Sequence, residues 1–112
     1  MMTDVLGDME QEIYLGLKEG NAKRIAAYFA DHVSVTLKND TGYYSKFQSE
    51  MVLKEFLRTF RATEVKQVPV TTKSGKQNYR TYEFITSSQT FRVFVRFATE
   101  GDKILIGEIR IE

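Results

Sequence analysis

Apolar residues recur at helical spacing in the first part of the chain. Leu6, Met9, Ile13 and Leu17 stand three or four positions apart, which predicts an amphipathic helix over about residues 6–18. The Gly20-Asn21 pair that follows is typical of a helix end and a new N-cap. A second helix is therefore predicted over about residues 22–30.

A strand and a third helix are predicted next. Val33, Val35 and Leu37 alternate with polar residues, as in a half-buried strand, and residues 39–42 form a predicted turn. Ser45 and Gln48 have the spacing of a capping box, in which two side chains satisfy free N–H groups at a helix start. The longest helix of the chain is predicted to run from there to about residue 60, with an apolar stripe formed by Leu53, Phe56, Leu57 and Phe60.

From Glu64 onward the apolar residues alternate with a period of two. Strands are predicted at about 64–73, 76–86, 89–98 and 102–111, separated by turns at 74–75, 87–88 and 99–101. The four strands form an antiparallel meander. Pro69 lies within the first of them and marks it as an edge strand or a bulge, because proline cannot donate a backbone hydrogen bond.

The turns predict which residues face each other across this meander. A left-handed Gly101 as the third residue of its loop places Ala98 opposite Asp102 and Arg92 opposite Glu108. The two other loops place Glu83 opposite Arg92 and Lys66 opposite Glu83. The resulting row, which alternates in sign across four strands, is Lys66, Glu83, Arg92 and Glu108. Opposite charges across a sheet stabilise it by roughly 0.2–1 kcal/mol per pair.

The same register predicts an apolar band on the outer face of the sheet. Such contiguous patches usually mark a protein contact, so this face is predicted to form a homodimer. The candidate interface residues are Val68, Val70, Tyr79, Phe94, Arg96, Ile104 and Ile106. The alternative is that a terminus or loop of the same chain covers the band.

The inner face is predicted to hold the core and a cavity. One row is apolar throughout: Val65, Phe84, Phe91 and Ile109. Beside it, Gly107 leaves space near Tyr82, and the polar side chains of Gln67 and Arg80 would be costly there without partners. A cavity with a few polar groups is the usual form of a small-molecule site. The candidate ligand-binding residues are Gln67, Arg80, Tyr82, Gly107, Tyr14, Tyr28 and Phe56.

Arg80 beside Tyr82 is the sharpest ligand hypothesis. A guanidinium near a phenol at an apolar opening favours a carboxylate or another anion. In the alternative, Pro69 bends the sheet edge and releases Arg80 to solvent.

Composition narrows the function classes. The chain of 112 residues fits one domain spanning 1–112, and its net charge of +1 gives no general attraction to nucleic acid or membrane. Because there is no cysteine, disulfides and thiolate metal sites are excluded. No cofactor is predicted. The sequence shows neither a membrane span nor a signal segment, which predicts a cytoplasmic location, or a periplasmic or secreted one if a leader was removed.

No catalytic or metal-binding residues are predicted. His32 is the only imidazole, so a catalytic dyad would need Asp31 or Asp40 beside it. The position of each favours capping or a turn. Arginines and aromatic residues alternate in the last strands as they do in base-stacking platforms, but Glu83 and Glu108 cancel the charge, so nucleic acid is not an expected partner.

Three segments carry a resemblance to a known superfamily. They are YFADHVSVTL, GYYSKFQSEMVLKEF and TFRVFVRFATEGDKILIGEIRIE. In this order the chain resembles the nuclear transport factor 2-like superfamily, with its cystatin-like α+β fold, and is similar to short bacterial members of unknown function. The resemblance implies a strongly curved, mainly antiparallel sheet around the long helix, a cone-shaped pocket and homodimers through the outer sheet face. Enzymes of this superfamily carry an aspartate, or a histidine and an aspartate, in the pocket, and no such set can be matched here.

The leading hypothesis is a non-catalytic homodimeric domain that binds a small apolar or amphipathic ligand, an anionic one included, or a peptide in its pocket. One alternative is an enzyme of the isomerase or dehydratase kind that uses His32 and Asp31, or a tyrosine, as proton carrier. The other is a purely structural interaction domain with a filled core.

Overall fold

A computed structural model describes residues 3–69 and 79–112 as three helices packed against one curved six-stranded sheet. The elements, in chain order, are α1 Thr3–Glu19, α2 Ala22–Ala26, β1 Phe29–Leu37, β2 Asp40–Ser45, α3 Lys46–Thr59, β3 Glu64–Val68, β4 Tyr79–Ile85, β5 Thr90–Glu100 and β6 Lys103–Ile111. The strand order is β2-β1-β6-β5-β4-β3, with β1 and β6 parallel and the other pairs antiparallel. The predicted α+β class is confirmed.

The first two helices are joined as predicted, but their lengths differ from the prediction. Gly20 has a left-handed φ of 71°, and the side chain of Asn21 accepts a hydrogen bond from the Arg24 N–H at 3.2 Å. α1 has 17 residues and α3 has 14, so α3 is not the longest helix. α2 ends at Ala26 because the chain then turns toward β1. The carbonyl of Tyr28, just before β1, accepts a hydrogen bond from the Ile106 N–H at 2.7 Å.

The β1–β2 hairpin is tighter than predicted. Its turn consists of Lys38 and Asn39, and the residues predicted as turn, from Asp40 to Gly42, belong to β2 and pair with β1. Lys38 adopts a left-handed φ of 59°. Its N–H donates to the Ile111 carbonyl at 2.7 Å, so the turn is tied to the end of β6.

α3 begins and packs as the sequence predicts. Gln48 N–H donates to Ser45 Oγ at 3.1 Å, and Ser45 N–H donates to Gln48 Oε1 at 3.3 Å, which completes the capping box. The helix buries Leu53, Phe56 and Leu57, and Phe60 is half-buried beyond its end. The predicted stripe therefore faces the sheet.

The register of β3, β4 and β5 is also confirmed. Lys66 pairs with Glu83 and Glu83 with Arg92. Thr86 N–H donates to the Gln89 carbonyl at 2.8 Å across the predicted two-residue Ser87-Ser88 loop. The predicted loop at 74–75, like Val70 of the candidate interface, lies outside the described residues. Pro69 follows the end of β3, which is an edge strand as its proline indicates.

The predicted register of β5 and β6 is wrong. Gly101 has the expected left-handed φ of 64°, but the loop contains only Gly101 and Asp102, so Glu100 rather than Ala98 begins the pairing, opposite Lys103. Glu108 consequently faces Arg96 instead of Arg92. Arg92 exchanges two backbone hydrogen bonds with Glu112, at 2.8 and 2.9 Å. The row of charges across the sheet therefore still alternates in sign, and its members are Lys66, Glu83, Arg92 and Glu112.

A bulge in β6 changes the face of two predicted interface residues. The pairing shifts between Arg96–Glu108 and Phe97–Ile106, which leaves Gly107 as the extra residue. Ile106 is fully buried and Ile104 packs against the core, so both point to the helix side instead of the outer face. Gly107 lies next to Ala98 on the outer face, so its missing side chain does not open space near Tyr82.

The core lies between the helices and the sheet. Its centre is a group of phenylalanine rings with centroids 4.9–6.2 Å apart: Phe56, Phe60, Phe84 and Phe91. Val65 pairs with Phe84 in the predicted core row, whereas Ile109 is buried two inner-facing rows away, opposite Val95. Among the described residues, no helix combines the length and the apolar character needed to cross a membrane.

Candidate functional site

The predicted polar pair, Arg80 and Tyr82, lies beneath α1. Arg80 is paired with the carboxylate of Glu10, and its guanidinium also donates to the Tyr79 carbonyl at 2.7 Å and lies 5.5 Å from the centre of the Phe97 ring. The Tyr82 hydroxyl donates to the Glu10 backbone carbonyl at 3.4 Å. Both side chains therefore use polar groups of the same helix turn.

The sequence predicted an anionic ligand at Arg80, and in the structure a carboxylate of the same chain, that of Glu10, pairs with this guanidinium. The Arg80 side chain is only 10% exposed, and its cation already faces an internal carboxylate. Tyr82 is fully buried, and burial first, then the negative charge of Glu10, raises the pKa of its phenol well above the usual range. The phenol thus stays neutral and holds α1 on the sheet.

The other predicted ligand residues are spread over the molecule. Gln67 is exposed on β3 opposite Tyr82, and Gly107 forms the β6 bulge. Tyr14 is half-buried under the Lys18 ammonium, which lies 5.8 Å from the ring centre, and Tyr28 is half-buried against the core. Of the seven candidates, Phe56 alone lines the cavity described next.

A cleft opens between α3 and the end of β1. Its larger part has a volume of about 490 Å³ and an almost wholly apolar surface. It is lined by Leu37, Met51, Val52, Glu55, Phe56, Thr59 and Phe60. This volume is within the range of small-molecule sites, which are about 300–1,000 Å³. We refer to this cavity and its extension below as the α3 cleft.

A second part of about 260 Å³ shares Leu37, Phe56 and Phe60 with the first and extends it toward the sheet. It also reaches Phe91, Ile111 and the charged residues Lys38 and Asp40. Neither charge forms an ion pair within the described part of the chain. The α3 cleft therefore combines apolar walls with one cation and one anion at the β1–β2 turn.

The positions of the cleft residues follow from the local structure. Val52, Phe56 and Thr59 recur at spacings of four and three, so they share one side of the last two turns of α3, and Phe60 follows directly after the helix end. Leu37 is the last residue of β1, and the left-handed Lys38 turns the chain immediately after it. Because the Lys38 N–H is bonded to Ile111, the turn is fixed beside the end of β6.

Sequence reasoning missed most of this lining, although one signal was present. Val52 and Met51 are apolar residues beside the α3 stripe, and they widen the apolar surface beyond what one packed face requires. Which strand end would meet this surface could not be read from the chain. The contact of Leu37 and Lys38 with the helix depends on the parallel pairing of β1 with β6.

The residues considered for acid–base chemistry do not meet in the cleft. His32 and Asp31 are exposed on β1, and the His32 ring stacks on Tyr43 with centroids 5.4 Å apart. Asp40 lies at the cleft, eight positions farther along the chain at the start of β2. Within residues 3–69 and 79–112, no group of three or more histidines and carboxylates could hold a metal ion.

The outer face is less apolar than predicted. Phe94 pairs with Thr81 and with Arg110, whose guanidinium lies 5.3 Å from the Phe94 ring centre. Arg96 is paired with Glu108 at 2.9 Å. Val68, Tyr79, Phe94 and Arg96 lie on the predicted face of the sheet, with arginine and glutamate replacing the two isoleucines that point inward.

Comparison of the structure with solved structures supports the cystatin-like assignment. A DUF4783 family protein from Bacteroides uniformis matches with a TM-score of 0.77 and 20% identity, covering 91% of this chain and 94% of that one. An NTF2-like protein of unknown function from Shewanella baltica matches with a TM-score of 0.65 and 11% identity over 99% and 92% of the two chains. A domain with a cystatin-like fold from Nostoc punctiforme matches with a TM-score of 0.69 and 6% identity over 97% and 75%.

At these identities the likeness shows the fold, and it confirms the predicted cystatin-like fold, which NTF2-like proteins share. No curated protein matches the chain. The family model described as "Domain of unknown function (DUF4783)" matches residues 10–112. The chain therefore belongs to the DUF4783 family.

Proposed function

We propose that this chain is a non-catalytic binding domain that holds a small apolar or amphipathic ligand in the α3 cleft. The observation that carries the proposal is the apolar cavity of about 490 Å³ between α3 and Leu37. Burial of apolar ligand surface contributes roughly 25 cal/mol per Å², so a medium-length alkyl chain would gain enough free energy to bind.

The charges at the β1–β2 turn favour a ligand with a polar head. Lys38 and Asp40 line the narrower part of the cleft, where an alkyl chain would end. An anionic head would be attracted by Lys38 and a cationic one by Asp40. The anion-binding role that the sequence suggested for Arg80 thus passes to Lys38 in this proposal.

Binding can be tested with decanoate, decanol and decylamine, followed by thermal shift and by displacement of 1-anilinonaphthalene-8-sulfonate fluorescence. Val52→Arg, which places a long cation in the cleft, is expected to weaken binding of the best probe at least ~10-fold, a loss of about 1.4 kcal/mol. Leu15→Arg is the matched control, because Leu15 is also half-buried but lies on α1 and does not line the α3 cleft.

Equal loss in both variants, or no binding of any of the three probes to the wild type, would contradict the α3 cleft as a ligand site. Comparison of decanoate with decylamine in Lys38→Ala and Asp40→Ala then shows which charge the head group meets.

We also propose homodimerisation through the outer face of the sheet. The proposal is supported by the half-buried apolar side chains of Val68, Tyr79 and Phe94, which lie beside the Arg96–Glu108 pair. We also propose a cytoplasmic location, separately from the dimer and on the basis of the sequence prediction given above.

Phe94→Glu is expected to reduce this association, because it places a carboxylate at the centre of the contact without disturbing the core. Light scattering after size exclusion should show a smaller particle with an unchanged circular dichroism spectrum. Ser88→Glu, in the exposed β4–β5 loop, is the control and should leave the mass unchanged. A wild type that is monomeric at high concentration would end the proposal.

A further inference from the structure

The two edges of the sheet differ in how they are protected. β3 carries the exposed Lys66 and Gln67 and is followed by Pro69, which are common devices against strand addition. β2 forms the opposite edge and pairs with β1 only, within the part of the chain that the structure describes. From Thr41 to Tyr44 it has no charge and no proline. Alternate residues of an edge strand direct N–H and C=O groups away from the sheet, so this edge remains open to pairing.

The side chains along the β2 edge fit an aromatic contact. Tyr43 is 74% exposed, although one side of its ring stacks on His32 of β1. β1 and His32 lie on one side of Tyr43 within the sheet. The unpaired edge of β2 lies on the opposite side of Tyr43. Phe47, which is 68% exposed, lies in the first turn of α3 directly beyond the end of β2. Among the described residues, Tyr43 and Phe47 are the two most exposed aromatic side chains, and both lie at this end of the molecule.

We propose that a second copy of this chain pairs with the β2 edge in antiparallel orientation, with the two-fold axis at Tyr43. The two six-stranded sheets would then form one continuous sheet of twelve strands. In an antiparallel pair, facing residues lie on the same side of the sheet. With Tyr43 opposite the partner's Tyr43, Thr41 faces Ser45 and Gly42 faces Tyr44, so the outer and inner faces of the two sheets match.

Charge complementarity selects this register. Asp40 is the first residue of β2, three residues before Tyr43, and Lys46, three residues after Tyr43, is the first residue of α3 directly beyond the strand end. The two-fold axis therefore brings Asp40 of each copy opposite Lys46 of the other, and the dimer contains this pair twice. Neither residue forms an ion pair within the described part of a single chain. Moving the axis one residue either way keeps the faces matched but places Asp40 opposite Tyr44 or Gln48 instead of Lys46.

The test uses the Phe94→Glu chain as background, so that the outer face of the sheet does not contribute. Sedimentation velocity over a range of concentrations should still show dimers. Asp40→Lys places two lysines opposite each other, and Lys46→Asp places two aspartates opposite each other. Each change alone is expected to weaken self-association at least ~10-fold. An equimolar mixture of the two variants restores both pairs and should form a heterodimer with the wild-type affinity.

Lys54→Asp is the matched control, since Lys54 is exposed on α3 beside Lys23, away from β2. It should associate like the background chain. A background chain that is monomeric at high concentration, or charge variants that do not recover on mixing, would overturn the β2 contact. Failure of Phe94→Glu to change the wild-type mass would contradict the outer-face dimer only. Lys46→Asp separates the β2 contact from ligand binding, because Lys46, unlike Asp40, does not line the α3 cleft.

Discussion

Glu10→Leu is expected to lower the free energy of unfolding by about 3 kcal/mol, because it removes the carboxylate that pairs with the Arg80 guanidinium beneath α1. The Arg80 side chain is only 10% exposed, so water can replace little of the lost interaction. Urea unfolding followed by circular dichroism measures the effect. The Tyr82 hydroxyl bond to the Glu10 backbone carbonyl is unaffected by the change and does not confuse the result.

Two further variants separate charge burial from packing. Glu10→Leu combined with Arg80→Leu removes both charges and should recover most of the loss, because an apolar pair of similar volume often replaces a buried ion pair at little cost. Glu55→Leu breaks the exposed Arg58–Glu55 pair, 2.7 Å long, and should cost less than about 0.5 kcal/mol. If Glu10→Leu were no more destabilising than Glu55→Leu, Arg80 would be hydrated in the native state.

Phe84→Ala is expected to destabilise the fold by about 4 kcal/mol, which is typical of a phenylalanine removed from a packed core. Phe84 is fully buried, and its ring centroid lies 5.6 Å from that of Phe56 and 6.2 Å from that of Phe91. The variant loses both aromatic contacts and leaves a cavity behind α3. Chemical unfolding gives the free energy directly.

Phe47→Ala is the matched control, since the same substitution at a side chain that is 68% exposed should change the free energy of unfolding by less than about 0.5 kcal/mol. If Phe84→Ala does not fold, Phe84→Leu should still fold with a loss of about 1 kcal/mol. Similar values for Phe84→Ala and Phe47→Ala would mean that the ring cluster does not stabilise the core.

Local chemistry made most of the elements predictable. The capping box of Ser45 and Gln48, the N-cap of Asn21 and the two-residue Ser87-Ser88 loop depend on residues within a few positions of each other. The end of α2 was mispredicted because Phe29 pairs with Ile106, a residue far along the chain, and this contact outweighs a weak helical preference.

The β5–β6 error had a sequence signal that was not used. In KILIGEIRI the isoleucines stand at 104, 106, 109 and 111, so their alternation breaks by one residue around Gly107. A glycine at such a break is typical of a bulge. With the bulge in place all four isoleucines face the helices, which satisfies burial better than the predicted register.

The candidate site was less predictable than the fold. The sequence indicated a cavity against α3 and included Phe56, but the polar candidates Arg80 and Tyr82 are bonded to Glu10 of α1. No pattern within β4 could reveal Glu10, which is 70 residues away from Arg80.

By itself, the sequence determined the types of the elements, the inner and outer sides of β3, β4 and β5, and the caps of the helices, because these depend on periodicity and on neighbours along the chain. Only the tertiary structure decided where the empty space lies and which charges remain available. Both depend on contacts between distant segments: β1 beside β6 opens the α3 cleft at Leu37, and α1 over β4 pairs the Glu10 carboxylate with Arg80.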